Sequence, residues 1–247
     1  MPRATYRCGN FIDSRLQTIM TISCITFDLD DTLWESGPVL ANAEAKFYEW
    51  IERTCPEIAH THSYDALVAH RRTHYASIPE SRHDLTRARL LWLESLLREW
   101  GYGAELAEIG FRVFWKHRNA VTLFDDVPRV LGKLGERYAI GAITNGNADV
   151  HQIGIGHHFD FVVTPAEAGA AKPDSAIFEL ALDAAGASPG SVVHVGDDPV
   201  RDVSGAAAIG LRTVWMNPEG RTWPGERRPD AEIRSLEVLL SVIDAWS

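Results

Sequence analysis

Asp28-Leu29-Asp30-Asp31-Thr32 closes an apolar run at residues 23–29. In a strand, residues two apart share a face, so Asp28 and Asp30 converge if the extended conformation reaches them. Converging carboxylates repel, and one can be held protonated while the other stays ionised. One group can then act as nucleophile or metal ligand and the other as acid and base. A polar strand end capping a turn gives the same letters, so the pair needs company. Three further groups supply it. Thr144-Asn145-Gly146-Asn147 ends a second apolar run and offers a hydroxyl and turn N–H groups to an anion. Lys172-Pro173 stands at a helix entry, and Lys172 is one of only four lysines; its compact charge suits a phosphoryl oxygen or a nearby carboxylate. Gly196-Asp197-Asp198, followed by Asp202, ends another run with carboxylates of the type that bind a hard divalent cation. Asp202 fits a metal-bound water or a partner for Lys172, and Asp198 is a supporting acid. Taken singly, each group also fits a structural role, as a turn, a solvated lysine or an acidic helix start.

The elements that must position these groups are legible in outline. Short β-rich runs occupy residues 23–29, 138–144, 159–163, 191–196 and 211–215. The first and fourth are too continuous for half-exposed strands and suit a sheet covered on both faces. Helical patterns at 126–136, 173–186 and 199–210 alternate with the later runs, and a closing helix is expected at 235–246. Pro173 and Asp174 start the second of these, and Gly186 ends it. This alternation predicts an α/β fold with a doubly wound parallel sheet, whose ligands sit at the carboxyl ends of the strands. Residues 36–120 break the rhythm. Ala43, Phe47, Trp50 and Ile51 mark one helix face; Leu90, Leu93, Leu97 and Trp100 mark another; Leu106, Ile109 and Val113 mark a third. The region reads as an all-helical insert, and 217–230 as a Pro/Gly-rich loop.

Composition narrows the partners. The 247 residues carry 34 Asp and Glu against 24 Lys and Arg, a formal charge of −10. A basic nucleic-acid binder has the opposite sign, so no nucleic-acid partner is expected. A phosphate ligand needs a local reversal of that field. Cys8, Cys24 and Cys55 lack disulfide or zinc spacing, which favours a reducing cytoplasm. No run reaches the 18 apolar residues of a membrane span. Residues 1–19 read as a tail before Met20. His70 and His74 are four apart but lack a carboxylate that would complete a zinc site.

The motifs FDLDDTL, ITNGN, KP and HVGDDPVRDV, in that order at strand ends, resemble the haloacid dehalogenase (HAD) superfamily over residues 20 to 245. The resemblance implies a Rossmann-like core at 20–35 and 121–247, with a helical cap at 36–120. By that similarity Asp28 is the nucleophile and forms an aspartyl phosphate, while Asp30 protonates the leaving group and then activates water. Mg2+ would bind Asp28, the Asp30 carbonyl and Asp197. Thr144, Lys172 and the N–H groups near Asn145 would hold the transferring oxygens. In this family the true dehalogenases lack the acid at the Asp30 position and do without Mg2+, so Asp30 and Asp197 favour a phosphatase. Mutases of glucose phosphate share all four motifs and stay open.

Substrate choice is expected in the cap, with His83, Arg87 and Arg89 as candidates and Tyr75, Trp92, Trp100 and Trp115 as stacking surfaces. Trp100 also fits the interior of a helix bundle. Details such as HDLTRAR and the late WMNPEG are similar to bacterial phosphatases acting on FMN and on 5-amino-6-(5-phosphoribitylamino)uracil. Related branches act on pyrimidine nucleotides or sugar phosphates. The expected partner is a small phosphorylated metabolite.

Overall fold

A computed structural model describes residues 21–78 and 83–247. The expected tail, Met20 and residues 79–82 lie outside them. In chain order the elements are β1 (Cys24–Phe27), α1 (Ser36–Thr54), α2 (Pro56–Thr61), α3 (Tyr64–Ser77), α4 (Leu85–Glu99), α5 (Leu106–Arg118), α6 (Val127–Gly135), β2 (Ala139–Ile143), α7 (Val150–Ile153), β3 (Phe161–Val163) and α8 (Pro165–Ala168). Then follow α9 (Ser175–Ala185), β4 (Val192–Gly196), a wide turn of helix at Pro199–Ser204 running into α10 (Gly205–Ala208), β5 (Arg212–Met216), β6 (Ala231–Ile233) and α11 (Leu236–Trp246).

The six strands form one parallel sheet in the order β3-β2-β1-β4-β5-β6. Both faces are covered, as the continuous apolar runs require. Ile25 and Phe27 of β1, Ile140 of β2, Val193 and Val195 of β4 and Val214 of β5 pack with α6 and α11. The alternate residues Cys24, Ile143 and Val192 pack with Ile177, Phe178 and Ala181 of α9. Asp174 caps α9 by accepting from the Ala176 N–H, and Gly186 ends it in the left-handed region. Strand order reverses at β1: β2 and β3 lie on one side and β4 to β6 on the other. The crevice for a ligand opens there, beyond the carboxyl ends of β1 and β4.

Five of the strands fall where the apolar runs place them. β6 does not: it is three residues, Ala-Glu-Ile, directly after the Pro/Gly-rich loop, too short and too polar at its centre to carry a period.

Between β1 and β2, helices α1 to α5 hold a hydrophobic cluster of their own, built on Phe47, Trp50, Ile51, Trp92, Leu93, Leu96, Leu97 and Phe114. The inner face of α5 is rotated from the expected one, with Leu106 and Val113 partly buried at its margin. Ala107, Gly110, Phe114 and Arg118 are buried, while Ile109 is exposed. The small residues decide this. α1 and α5 come so close that a Cβ on Gly110 would lie 2.5 Å from the Trp50 ring. No helix among the described residues is long and apolar enough to cross a membrane.

Candidate active site

The ends of three adjacent strands deliver the reactive groups. Asp28 follows β1 directly, and its N–H donates to Val195 O at 2.9 Å. Thr144 follows β2 and Asp197 follows β4. The strand conformation does not persist to Asp30. The Thr32 and Leu33 N–H groups fold back to Leu29 O, and Asp31 takes a φ of 61°. Asp31 then holds the start of α1, accepting from Ser36 N at 2.8 Å and Ser36 Oγ at 2.7 Å. Asp28 and Asp30 still line one cavity, of about 330 Å3, with Thr144, Asn145, Lys172 and Asp197. A tight turn brings Asp30 there, rather than strand alternation.

Lys172 is buried, and its Nζ donates to Asp28 Oδ1 at 2.7 Å, Asp202 Oδ1 at 2.7 Å and Ile143 O at 2.6 Å. Of the two roles the sequence allows, the carboxylate-pairing one is in place. Asp202 also meets His194 Nε2 at 3.3 Å, and its Oδ2 accepts from the Asp198 N–H at 2.9 Å. His194 Nδ1 lies 2.9 Å from Thr26 Oγ1. A chain of buried polar groups thus runs from the middle of the sheet to the nucleophile candidate. Burial works against the charge on Asp202, but Lys172 and His194 overcome it and hold its carboxyl well below the usual range. Burial also opposes the Lys172 charge, and Asp202 and Asp28 outweigh it, raising its pKa.

Asp28 and Asp197 respond in the other direction. Burial pushes Asp28 up to about 8, with Asp202 and Asp197 adding to the rise and Lys172 opposing it. Burial, then Asp202, Asp31 and Asp198, push Asp197 up to about 7. Carboxylate oxygens of Asp28, Asp197 and Asp202 lie within 4.8 Å of one another. Among the described residues this is the one group of three or more acidic, His or Cys side chains spaced to hold a metal. Because Lys172, His194 and the Asp198 N–H already occupy Asp202, Asp28 and Asp197 are the freer ligands.

The remaining expected residues sort clearly. Thr144 Oγ1 accepts from the Gly146 N–H at 2.9 Å, which leaves its hydroxyl hydrogen to donate elsewhere. The Asn145 side chain is engaged on the Lys172 backbone, accepting from its N–H at 2.8 Å and donating to its carbonyl at 2.9 Å. Asn145 therefore fixes Lys172, and only its backbone is left to face an anion. Asp198 caps the turn at Pro199–Ser204 through Val200 N and Arg201 N, both at 2.8 Å. His83 lines a second cavity of about 300 Å3 with Thr86, Trp115, Asn147 and Val150; this cavity shares Gly146 with the first. Arg87 is exposed and lines neither. Arg89 is not available to a ligand: it is 4% exposed, pairs with Glu44 and lies 3.4 Å over the Phe114 ring. Trp92 is likewise internal, with its Nε1 donating to His70 Nδ1 at 3.0 Å. Tyr75 and Trp100 pack against the same helical cluster, so Trp115 is the one expected aromatic on this second cavity.

Sequence reasoning missed Arg118, whose Nη2 lies 2.5 Å from Asp30 Oδ2, and Trp34, whose Nε1 donates to Asp30 Oδ1 at 3.0 Å. It also missed Arg221, which donates to Asp197 O at 3.1 Å. For His194 a signal existed: it is a polar residue inside an apolar strand, and its register partner on β1 is Thr26.

A family model for haloacid dehalogenase-like hydrolases matches residues 22–210. The chain belongs to that family. This HAD-like hydrolase is 33% identical over 230 residues to the 5-amino-6-(5-phospho-D-ribitylamino)uracil phosphatase YigB of Escherichia coli, which covers 90% of this chain and 96% of that one. It is 32% identical over 205 residues to a phosphoserine phosphatase of Thermus thermophilus, covering 80% of each. The crystal structure of a 2-haloacid dehalogenase from Pseudomonas syringae pv. Tomato DC3000 matches the HAD-like fold with a TM-score of 0.87 at 36% identity, covering 92% of this chain and 100% of that one.

Proposed function

We propose that this chain is a Mg2+-dependent phosphomonoesterase that acts on a small phosphorylated metabolite through an aspartyl phosphate on Asp28. The observation that carries the reading is the pairing of Asp28 with buried Lys172, beside Asp197, at the reversal point of the sheet. Oδ1 of Asp28 is held by Lys172, so Oδ2 is the oxygen free to attack phosphorus. The attack makes an acyl phosphate and releases the alcohol, and water then cleaves it, which divides one difficult hydrolysis into two displacements. Asp30 gives its proton to the leaving oxygen and afterwards takes one from that water. The Thr144 hydroxyl and the turn at Gly146 receive the phosphoryl oxygens.

The donor set fits a hard divalent cation: every side-chain oxygen is a carboxylate, and burial, with the neighbouring carboxylates adding to it, raises Asp28 and Asp197. Asp28 and Asp197 would hold Mg2+, with Asp30 contributing its backbone carbonyl. Bound there, Mg2+ offsets the repulsion between an anionic nucleophile and an anionic phosphoryl group.

Helices α1 to α5, with their separate core, serve as a cap at 36–120 over a catalytic core at 20–35 and 121–247. The cavity at His83, Thr86 and Trp115, which shares the lining residue Gly146 with the cavity at Asp28, takes the leaving group. Its mixed apolar and polar lining suits a heterocycle on a polyol arm. This supports FMN or a ribitylaminouracil phosphate, consistent with the activity named for YigB; phosphoserine, pyrimidine nucleotides and sugar phosphates are the alternatives. The two described cysteines are buried and unpaired, which supports a cytoplasmic setting.

The likeness to a 2-haloacid dehalogenase carries a second reading. A halide leaves as a stable anion and takes no proton, so that chemistry gives Asp30 no task. Phosphate and halide release should be measured over FMN, the ribitylaminouracil phosphate, phosphoserine, nucleoside monophosphates and 2-haloacids, with Mg2+ and with EDTA. Mg2+-dependent phosphate release supports the phosphatase. Metal-independent halide release, with every phosphate ester inert, overturns it.

A further inference from the structure

We propose that Arg118 is a positioning residue that holds Asp30 toward the leaving group while the helical insert is docked on the sheet. The inference rests on the phosphatase reading and extends it to a residue from the other part of the molecule. Asp30 stands in the loop after β1, whereas Arg118 is the last residue of α5, at the far end of the insert. Arg118 is 2% exposed, and its Nη2 lies 2.5 Å from Asp30 Oδ2. Trp34 Nε1 holds the other oxygen at 3.0 Å. The carboxyl is therefore clamped by one donor from its own loop and one from the insert.

The clamp stands against the turn that receives the phosphoryl oxygens. A Cβ on Gly146 would come within 2.8 Å of Asp30 Oδ2 and 3.0 Å of Arg118 Nη2. The next residue ties the same helix end to the core, because Asn119 Oδ1 accepts from the Asp149 N–H at 2.8 Å. Arg118 thus reaches Asp30 only when α5 is seated on this turn.

The guanidinium is poorly satisfied for a structural ion pair. Its Nη1 is buried and meets no acceptor among the described residues. Desolvating a donor without a partner is unfavourable, so fold stability alone gives little reason for an arginine here. Arg89 shows the contrast: inside the insert its Nη1 and Nη2 both donate to Glu44. What Arg118 gains is the orientation of Asp30, since a misplacement of about 1 Å can cost on the order of 100-fold in rate.

A loss of Asp30 orientation has a signature that a packing defect lacks. An alkyl phosphate needs its leaving oxygen protonated, whereas p-nitrophenyl phosphate releases a phenolate that needs no proton. For Arg118→Met, kcat/KM for an alkyl phosphate should fall about 100-fold, against about fivefold or less for p-nitrophenyl phosphate. Added guanidinium ion should restore part of the alkyl activity, and Arg118→Lys should lie between the two. If Arg118→Met does not fold, Arg118→Lys carries the comparison, with the alkyl ester again losing more. Equal losses on both esters, or no loss, overturn the assignment. If the wild type hydrolyses neither ester, the phosphatase reading fails and this role fails with it.

Discussion

The Nζ of Lys172 lies 2.7 Å from Oδ1 of Asp28, and this buried contact joins residues 144 positions apart in the cavity beyond the carboxyl ends of β1 and β4. The same Nζ binds Asp202, so one buried ammonium holds two carboxyl groups. Breaking such a group by removing the cation leaves uncompensated buried charge. Lys172→Met should therefore lower stability by about 3 kcal/mol or more and abolish turnover, as read by chemical denaturation and phosphate release. A variant of wild-type stability would show that the pair is not the structural keystone of the site.

The raised carboxyls make stability depend on pH in a defined direction. Asp28 is pushed to about 8 and Asp197 to about 7, both from an ordinary value of 3.8. A group whose folded pKa is raised gives its full stabilisation below the unfolded value and loses it as pH rises through the folded one. In EDTA, the thermal midpoint of the wild type relative to Asp197→Asn should fall between about pH 4 and about pH 7. That comparison cancels the buried histidines, His194 among them. Saturating Mg2+ should raise the midpoint more at the alkaline end, since its ligands must be deprotonated. A relative midpoint that climbs with pH in EDTA would contradict the electrostatics of the site.

Within the insert, Arg89 and His83 should separate cleanly. Arg89 pairs with Glu44 and lies over Phe114 inside the helical cluster. Arg89→Met should cost about 3 kcal/mol of stability and leave KM unchanged in the folded fraction. His83 lines the cavity next to Gly146. His83→Ala should raise KM for the preferred phosphate ester about tenfold, with the loss of a polar contact worth roughly 1.4 kcal/mol, and barely move the melting midpoint. Steady-state kinetics beside melting curves check both, and a KM effect at Arg89 with none at His83 would reverse the assignment.

What the sequence reveals and what it conceals have physical causes. The parallel sheet is legible because β1 and β4 are buried on both faces, and because Asp28, Thr144 and Asp197 fall at strand ends, with Lys172 at the entry to α9. The turn that carries Asp30 inward is not legible, since the left-handed Asp31 is one aspartate among several. Arg118 stays hidden for a specific reason. Leu106 and Val113 sit at the margin of the packed face of α5 and Ile109 falls outside it, so the bulky residues alone leave the helix rotated away from its true contact. The face that packs is built on Ala107 and Gly110, where small size rather than hydrophobicity permits the contact with Trp50. Once that face is known, Arg118 falls on it, and its meeting with Asp30 across 88 residues is a tertiary fact. Arg89 is the converse case. A charged residue in a motif-like run looks available to a ligand, yet Glu44, 45 positions earlier, pairs with it inside the bundle.

Capture of the phosphoryl group on Asp28 is the most direct test of the proposed function. Wild-type protein should be mixed with Mg2+ and a phosphate ester that it hydrolyses, quenched in acid within the first turnover, digested and sequenced by mass spectrometry. One phosphoryl group is expected on the peptide bearing Asp28, absent after a base chase and absent from Asp28→Asn, which should also release no phosphate. Full product release with Asp28 unmodified, or turnover surviving in Asp28→Asn, would contradict the proposed function.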